Sequence, residues 1–209
     1  MAVRQLVDDV EIPGHQTIRD NFEDSEQRAE RLIMEFELKA GIASYLSQRP
    51  GARPRSLDDL IRFNEEHAAE EMPYFRQELF EAAQKRGPLT DELYQRALAH
   101  DMAFARGFEA LFKDQNFDAL VAPTNAPAWV IDLIDGDRFL GSSSQAAAVG
   151  GFPLVSVPSG FALDVLPLGL TFMGPPHSEP TLIRLAYAFE QARPVRRAPT
   201  FVPTLTDLP

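Results

Sequence analysis

Between Arg138 and Arg184 the chain carries only two formal charges, Asp164 and Glu179, while Gly and Pro recur throughout. A stretch so poor in charge has no polar face to offer water, so a solvated helix is excluded. It has to be buried strands joined by tight connections. What precedes it is different: residues 1–100 hold 20 acidic and 13 basic side chains, against 11 and seven in residues 101–209. A charged front and an apolar back predict a helical layer laid over a sheet, an α/β arrangement rather than a bundle. The expected division is a mainly helical cover with one N-terminal strand over residues 1–115, strands and helices over 116–192, and a Pro-rich tail over 193–209.

Helices are expected where apolar period and punctuation agree. Asn21 to Gln48 places Leu32, Phe36, Ala40, Ala43 and Leu46 near one face, and Pro50-Gly51 stops it. Ser56-Leu57-Asp58-Asp59 has the capping-box pattern. Pro73 opens a short helix carrying Phe75, Leu79 and Phe80. Thr90 is the expected cap of a long helix that reaches about Phe112, with Asp91 and Glu92 in its first turn. Ser178-Glu179-Pro180 starts the last one, with Leu182, Leu185, Ala186 and Phe189 inward. Strands are expected at Arg4–Ile12, Ala119–Ala122, Leu154–Val157 and Leu170–Met173.

Composition removes several functions. With 31 acidic and 20 basic residues in 209 the net charge is −11, which repels phosphate backbones and anionic lipid. Neither nucleic acid nor a membrane surface is an expected partner. Cysteine is absent, so a thiolate zinc site and a cysteine nucleophile are excluded. No segment approaches the about 18 apolar residues of a membrane span, and Met1 to Val10 is no signal peptide, so a cytoplasmic protein is expected. His15, His67, His100 and His177 lack the helical spacing of a metal site, and no metal or cofactor is expected. Asp132 to Asp137 resembles a calcium loop only faintly and reads as an acidic turn. Glu65, Glu66, Glu70 and Glu71 read as a solvated helix face.

Gly141-Ser142-Ser143-Ser144 is the one cluster of possible nucleophiles, and a hydroxyl needs a base to become one. The only lysines, Lys39, Lys85 and Lys113, lie in charge-rich helical segments where a solvated ammonium is expected, and no histidine is near in sequence. Ser142 therefore reads as a helix N-cap, with Ala146 to Gly151 small enough for close packing. No complete catalytic set is present, so no catalytic residue is assigned.

The back half nevertheless resembles a known family. Asp118-Ala119-Leu120-Val121-Ala122-Pro123-Thr124 is similar to the D-x-L-x-x-P-T strand of the amidase signature hydrolases. Phe139 to Ser144, running on through Gly150-Gly151-Phe152-Pro153 to Pro158, resembles that family's N-L-A-G-x-P segment. Leu166-Pro167-Leu168-Gly169-Leu170-Thr171-Phe172-Met173-Gly174 resembles its G-L-P-x-G-x-Q-x-x-G strand, with Thr171 where Gln is common, and Ser178 to Glu190 its final helix. Leu57 to Asn64 and Glu71 to Phe75 are similar to the bacterial peptide-amidase branch. Each motif is weak alone, and the ordered set is specific.

The resemblance implies the C-terminal portion of an α/β/α fold with a mixed sheet flanked by helices. It also implies carboxamide hydrolysis through an acyl-enzyme formed by a serine, a second serine after a cis peptide bond, and a buried lysine. Those three residues belong to family motifs upstream of the part matched, so this chain alone is expected to be inactive. It would contribute a wall of the substrate channel, formed by Thr124, Trp129, Phe139, Ser142, Ser143 and Ser144. Gly141 stands where relatives that bind a side-chain amide carry an acid, which points to a peptide- or aryl-amide pocket. The expected partners are a small-molecule or peptide amide and either the missing N-terminal half or a second copy. A non-catalytic binding module and one half of a split amidase stand as alternatives.

Overall fold

The computed structural model describes residues 29–49, 51 and 53–199, which form two compact units divided between Leu111 and Phe112. The strand expected at Arg4–Ile12 and the start of the helix expected from Asn21 lie outside the described residues.

The first unit is helical. Helix α1 spans Ala29–Ser47, α2 Leu57–Glu66, α3 Ala68–Glu71 and α4 Glu78–Gln84, and α5 (Glu92–Gln115) runs on into the second unit. Leu32 and Phe36 are buried as their period requires, packed with Ala29, Ala97 and the ring of Tyr94 (5.5 Å from Phe36). Ala43 is exposed, so the apolar stripe of α1 is shorter than its sequence suggests. At α2 the Ser56 hydroxyl accepts from the Asp59 N–H (3.1 Å), as a capping box requires. The Asp59 carboxylate reaches one residue further back than the usual box, accepting from the Arg55 N–H at 2.9 Å.

Two helix starts differ from expectation. The helix expected from Pro73 begins only at Glu78, leaving Tyr74 and Phe75 exposed before it. Gln77 is the reason: its buried side chain donates to the Ile61 carbonyl (3.1 Å) and accepts from Asn64 (3.0 Å), which holds the chain against α2. At α5 the cap is Asp91 rather than Thr90. The Asp91 carboxylate accepts from the Leu93 N–H at 2.9 Å, doing for the orphan donors what was expected one residue earlier.

Charged groups lock this unit. Lys39 is no solvated ammonium; its Nζ donates to the carbonyls of Gln84 (2.8 Å) and Arg86 (2.6 Å), where α4 ends and leaves oxygens unpaired. Glu35, only 5% exposed, is held by Arg31 (2.9 Å) and by Arg86 (2.6 and 2.8 Å). Burial pushes its carboxyl pKa up, but hydrogen bonds and charge from the two guanidinium groups outweigh that and hold it below the usual carboxylate range.

In the second unit α5 ends at Asn116, whose φ of 52° is the left-handed conformation asparagine tolerates, and the Phe117 N–H returns to the Phe112 carbonyl (3.0 Å). Then follow β1 (Leu120–Pro123), α6 (Ser144–Gly150), β2 (Leu154–Ala162), β3 (Leu166–Met173) and α7 (Glu179–Ala192). The sheet order is β1-β3-β2, and both pairings are antiparallel. Val157 and Phe172 turn one face toward Leu182 and Ala186 of α7, with Phe189 set edge-on to Phe172 at 6.1 Å.

β2 and β3 are at least twice the expected length. The strand expected to end at Val157 runs on past Pro158, where a register shift before Gly160 absorbs the irregularity and pairing continues to Ala162. The hairpin closes on Leu163 and Asp164, both with positive φ (49° and 62°), and the Val165 N–H bonds the Ala162 carbonyl at 3.1 Å. That is a type I′ turn built without glycine. Arg197 in the tail lies 3.7 Å over the Phe161 ring and pairs with Asp164 at 3.4 Å, so the described part of the tail returns to this turn. Among the described residues no helix is long and apolar enough to cross a membrane.

Two measurements check this packing. Leu182→Ala removes a side chain with no exposed area and should lower stability by about 2–5 kcal/mol, read from the urea midpoint. Glu35 has a lower pKa folded than unfolded, so its stabilising effect is complete above the unfolded value and is lost as pH falls through the folded one. Glu35→Gln should cost about 1–2 kcal/mol at neutral pH and flatten the acid side of the stability profile.

Candidate functional site

The site is built where β1 runs out. Thr124, the residue after β1, donates its N–H to the Gly169 carbonyl of β3 (2.9 Å), and its own carbonyl accepts the Ser143 N–H (3.2 Å) and Ser143 hydroxyl (3.4 Å). Asn125 and Ser142 form an antiparallel bridge, and the Ala126 N–H reaches the Gly141 carbonyl (3.3 Å). These contacts clasp residues 126–141 into a loop with adjoining ends, the form of an Ω-loop. Gly141 sits at φ 122°, a conformation that residues with a side chain rarely adopt, which is why glycine turns the chain back into the clasp.

Thr124, Ser142, Ser143 and Ser144 therefore meet at the loop base. Ser142 is not the N-cap of α6; that position belongs to Ser143, whose hydroxyl is used on Thr124. The Ser142 hydroxyl instead accepts from the Ser144 N–H (3.2 Å) and shares a hydrogen bond with the Ser144 hydroxyl (2.7 Å). None of these bonds reaches a basic side chain, so none of them activates a hydroxyl as a nucleophile.

Trp129 and Phe139 lie within the loop and pair edge-on at 6.2 Å, with the half-buried Trp129 indole N–H donating to Asp137 at 3.1 Å. The acidic turn between them is closed by Asp132, whose carboxylate accepts from Ile134 (2.8 Å) and Asp135 (2.9 Å). Those backbone donors, Asp135 first, hold the Asp132 carboxyl below the usual range. Around the pair, Val130, Ile131, Leu133, Ile134 (94% exposed) and Leu140 are all open to solvent.

Sequence reasoning missed what fixes Thr124. Thr171, 1% exposed in the middle of β3, shares hydrogen bonds with the hydroxyls of Thr124 and Ser156, both at 2.8 Å. The row runs from the end of β1 across β3 to β2. A lone hydroxyl in the apolar run Leu170 to Met173 was its signal, since a buried hydroxyl needs a partner. Gly169 leaves the room: a Cβ there would lie 2.4 Å from the Thr124 hydroxyl.

Known proteins match this architecture. The amidase family model covers residues 1–183, and a probable amidase of Arabidopsis thaliana is 32% identical over 200 residues, 94% of this chain and 35% of that protein. The chain belongs to the amidase signature family. It falls in the peptide-amidase-like branch. The native peptide amidase of Stenotrophomonas maltophilia superposes with a TM-score of 0.75 at 43% identity, over 83% of this chain and 35% of that one. A peptide amidase complexed with the competitive inhibitor chymostatin gives 0.77 at 44% identity over the same shares. The α/β amidase signature fold is thus the fold of this chain, which spans about a third of the length of these relatives. Its three described strands are antiparallel; the further strand expected at Arg4–Ile12 lies outside the described residues.

The hydroxyl row has a measurable energy. Thr171→Val strands two hydroxyls and should cost about 1–3 kcal/mol in chemical denaturation, while Thr171→Ser recovers most of it. Amide exchange at Ser143 should quicken in Thr171→Val beyond what the loss of global stability accounts for.

Proposed function

We propose that this chain is the C-terminal region of an amidase domain that hydrolyses peptide amides, with residues 1–115 as its helical part, 116–192 as sheet and helices, and 193–209 as tail. The observation that carries the reading is 44% identity with a peptide amidase across 83% of the chain, at a TM-score of 0.77. Gly141 supports the substrate class, because a glycine there offers no carboxylate to hold a polar side-chain amide. The substrate channel takes one wall from the loop base and its aromatic pair: Thr124, Trp129, Phe139, Ser142, Ser143 and Ser144.

The reacting groups on this reading are the family's serine, cis-serine and lysine, supplied from outside these 209 residues. Burial lowers the lysine pKa, and the neutral amine takes the nucleophile's proton through the second serine. The serine oxygen bonds to the amide carbon, backbone N–H groups hold the oxyanion, and the C–N bond breaks as the leaving nitrogen is protonated. Water then cleaves the acyl ester, releasing the carboxylate and restoring the serine. The role of this chain is to hold the substrate beside those groups and to keep water from its apolar part. The exposed apolar side chains of Val130, Ile131, Leu133 and Ile134 support a surface that something else covers in the working enzyme.

The test has two parts. In its native source the chain should be found in a polypeptide well above 23.3 kDa, or bound to one that carries the serines and lysine, read by intact mass under native and denaturing conditions. Purified alone it should release no ammonia from N-acylated amino acid amides. A free, monomeric 23.3 kDa protein would point to a binding module, and ammonia release by the purified chain would overturn the assignment of the reacting groups.

A further inference from the structure

We propose that the Trp129–Phe139 pair is a subsite for an apolar side chain of a peptide amide, and that the carboxylates beside it disfavour the free acid formed by hydrolysis. The inference rests on the amidase reading and adds which amides are taken. Trp129 is fixed at one end, where its indole N–H is held by Asp137, and Phe139 meets it edge-on while remaining 61% exposed. The ends of the loop are clasped by the Asn125–Ser142 bridge and the Thr124–Ser143 bonds. Two pre-oriented rings with open surface suit an aliphatic or aromatic side chain, which gains buried area without first ordering its site. The loop base presents Ser142 and Ser144 hydroxyls, donors and acceptors of the kind a carboxamide uses.

Charge sets the second half of the proposal. Within residues 130–140 stand Asp132, Asp135 and Asp137 against Arg138 alone, in a chain of net charge −11. A neutral amide meets no penalty there. A carboxylate is repelled, so the product of hydrolysis is disfavoured where its parent amide binds.

The chain has a single tryptophan, Trp129, so its emission reports directly on this pair. The purified chain is titrated with N-acetyl-phenylalaninamide, N-acetyl-glycinamide and N-acetyl-phenylalanine. A saturable change is expected with the first, with about tenfold or greater weakening for the glycine amide, the scale of one lost apolar side chain. The free acid should also bind more weakly, by a margin that narrows as salt is added. Phe139→Ala, at an exposed position, should erase the difference between the phenylalanine and glycine amides. Equal affinities for those two amides would overturn the subsite and leave the amidase reading, judged by mass and ammonia release, untouched. Failure of any ligand to saturate would overturn it too, as would emission that shifts with protein concentration alone, the sign of a second copy seated on the loop. An acid that binds as well as its amide would overturn the charge argument.

Discussion

Strand β3 is hydrogen-bonded along both edges, and the second unit takes its positions from it. On one face Phe172 is sealed by α7; on the other Thr171 and Gly169 receive the end of β1. Because side chains alternate, a slip of one residue in either pairing would carry Phe172 to the hydroxyl face and Thr171 into the apolar core. The Thr124–Thr171–Ser156 row is satisfied in one register only. The strand that forms the core therefore also determines where the candidate substrate wall begins.

The aromatic loop departs from a frame fixed in this way. Its clasp uses backbone groups of Thr124, Asn125, Ala126, Gly141, Ser142 and Ser143, so the geometry at its base owes little to the side chains between. Within it, Asp132 closes the turn and Asp137 holds the indole, while Val130, Ile131, Leu133, Ile134 and Leu140 stay open to solvent. The loop is hydrogen-bonded where it joins the sheet and largely apolar where it meets solvent.

Much of this was legible in the sequence. The charge-poor stretch held β2 and β3, Ser56 and Ser178 marked the starts of α2 and α7, and the ordered motifs pointed to the family. The failures have physical causes. Pro73 looked like a helix start, but Gln77 was already committed to α2. Thr90 and Asp91 are both good caps, and side-chain reach chose between them. Pro158 and Gly160 are strand breakers in general, yet a bulge accommodates them, so the hairpin was read as two short pieces. The candidate wall was read by resemblance; what holds it, the pairing of Thr171 with Thr124, links residues 47 positions apart and leaves no local pattern.

The clasp beneath the loop separates two evolutionary tasks. Closing a longer or shorter excursion between ends that already meet changes the entropy cost only slowly with length. Residues 126–141 can accordingly be rewritten, extended or trimmed as a cassette while the sheet keeps its register. A lineage built on this frame has a short route to a new loop surface: exchange the cassette and leave the scaffold alone.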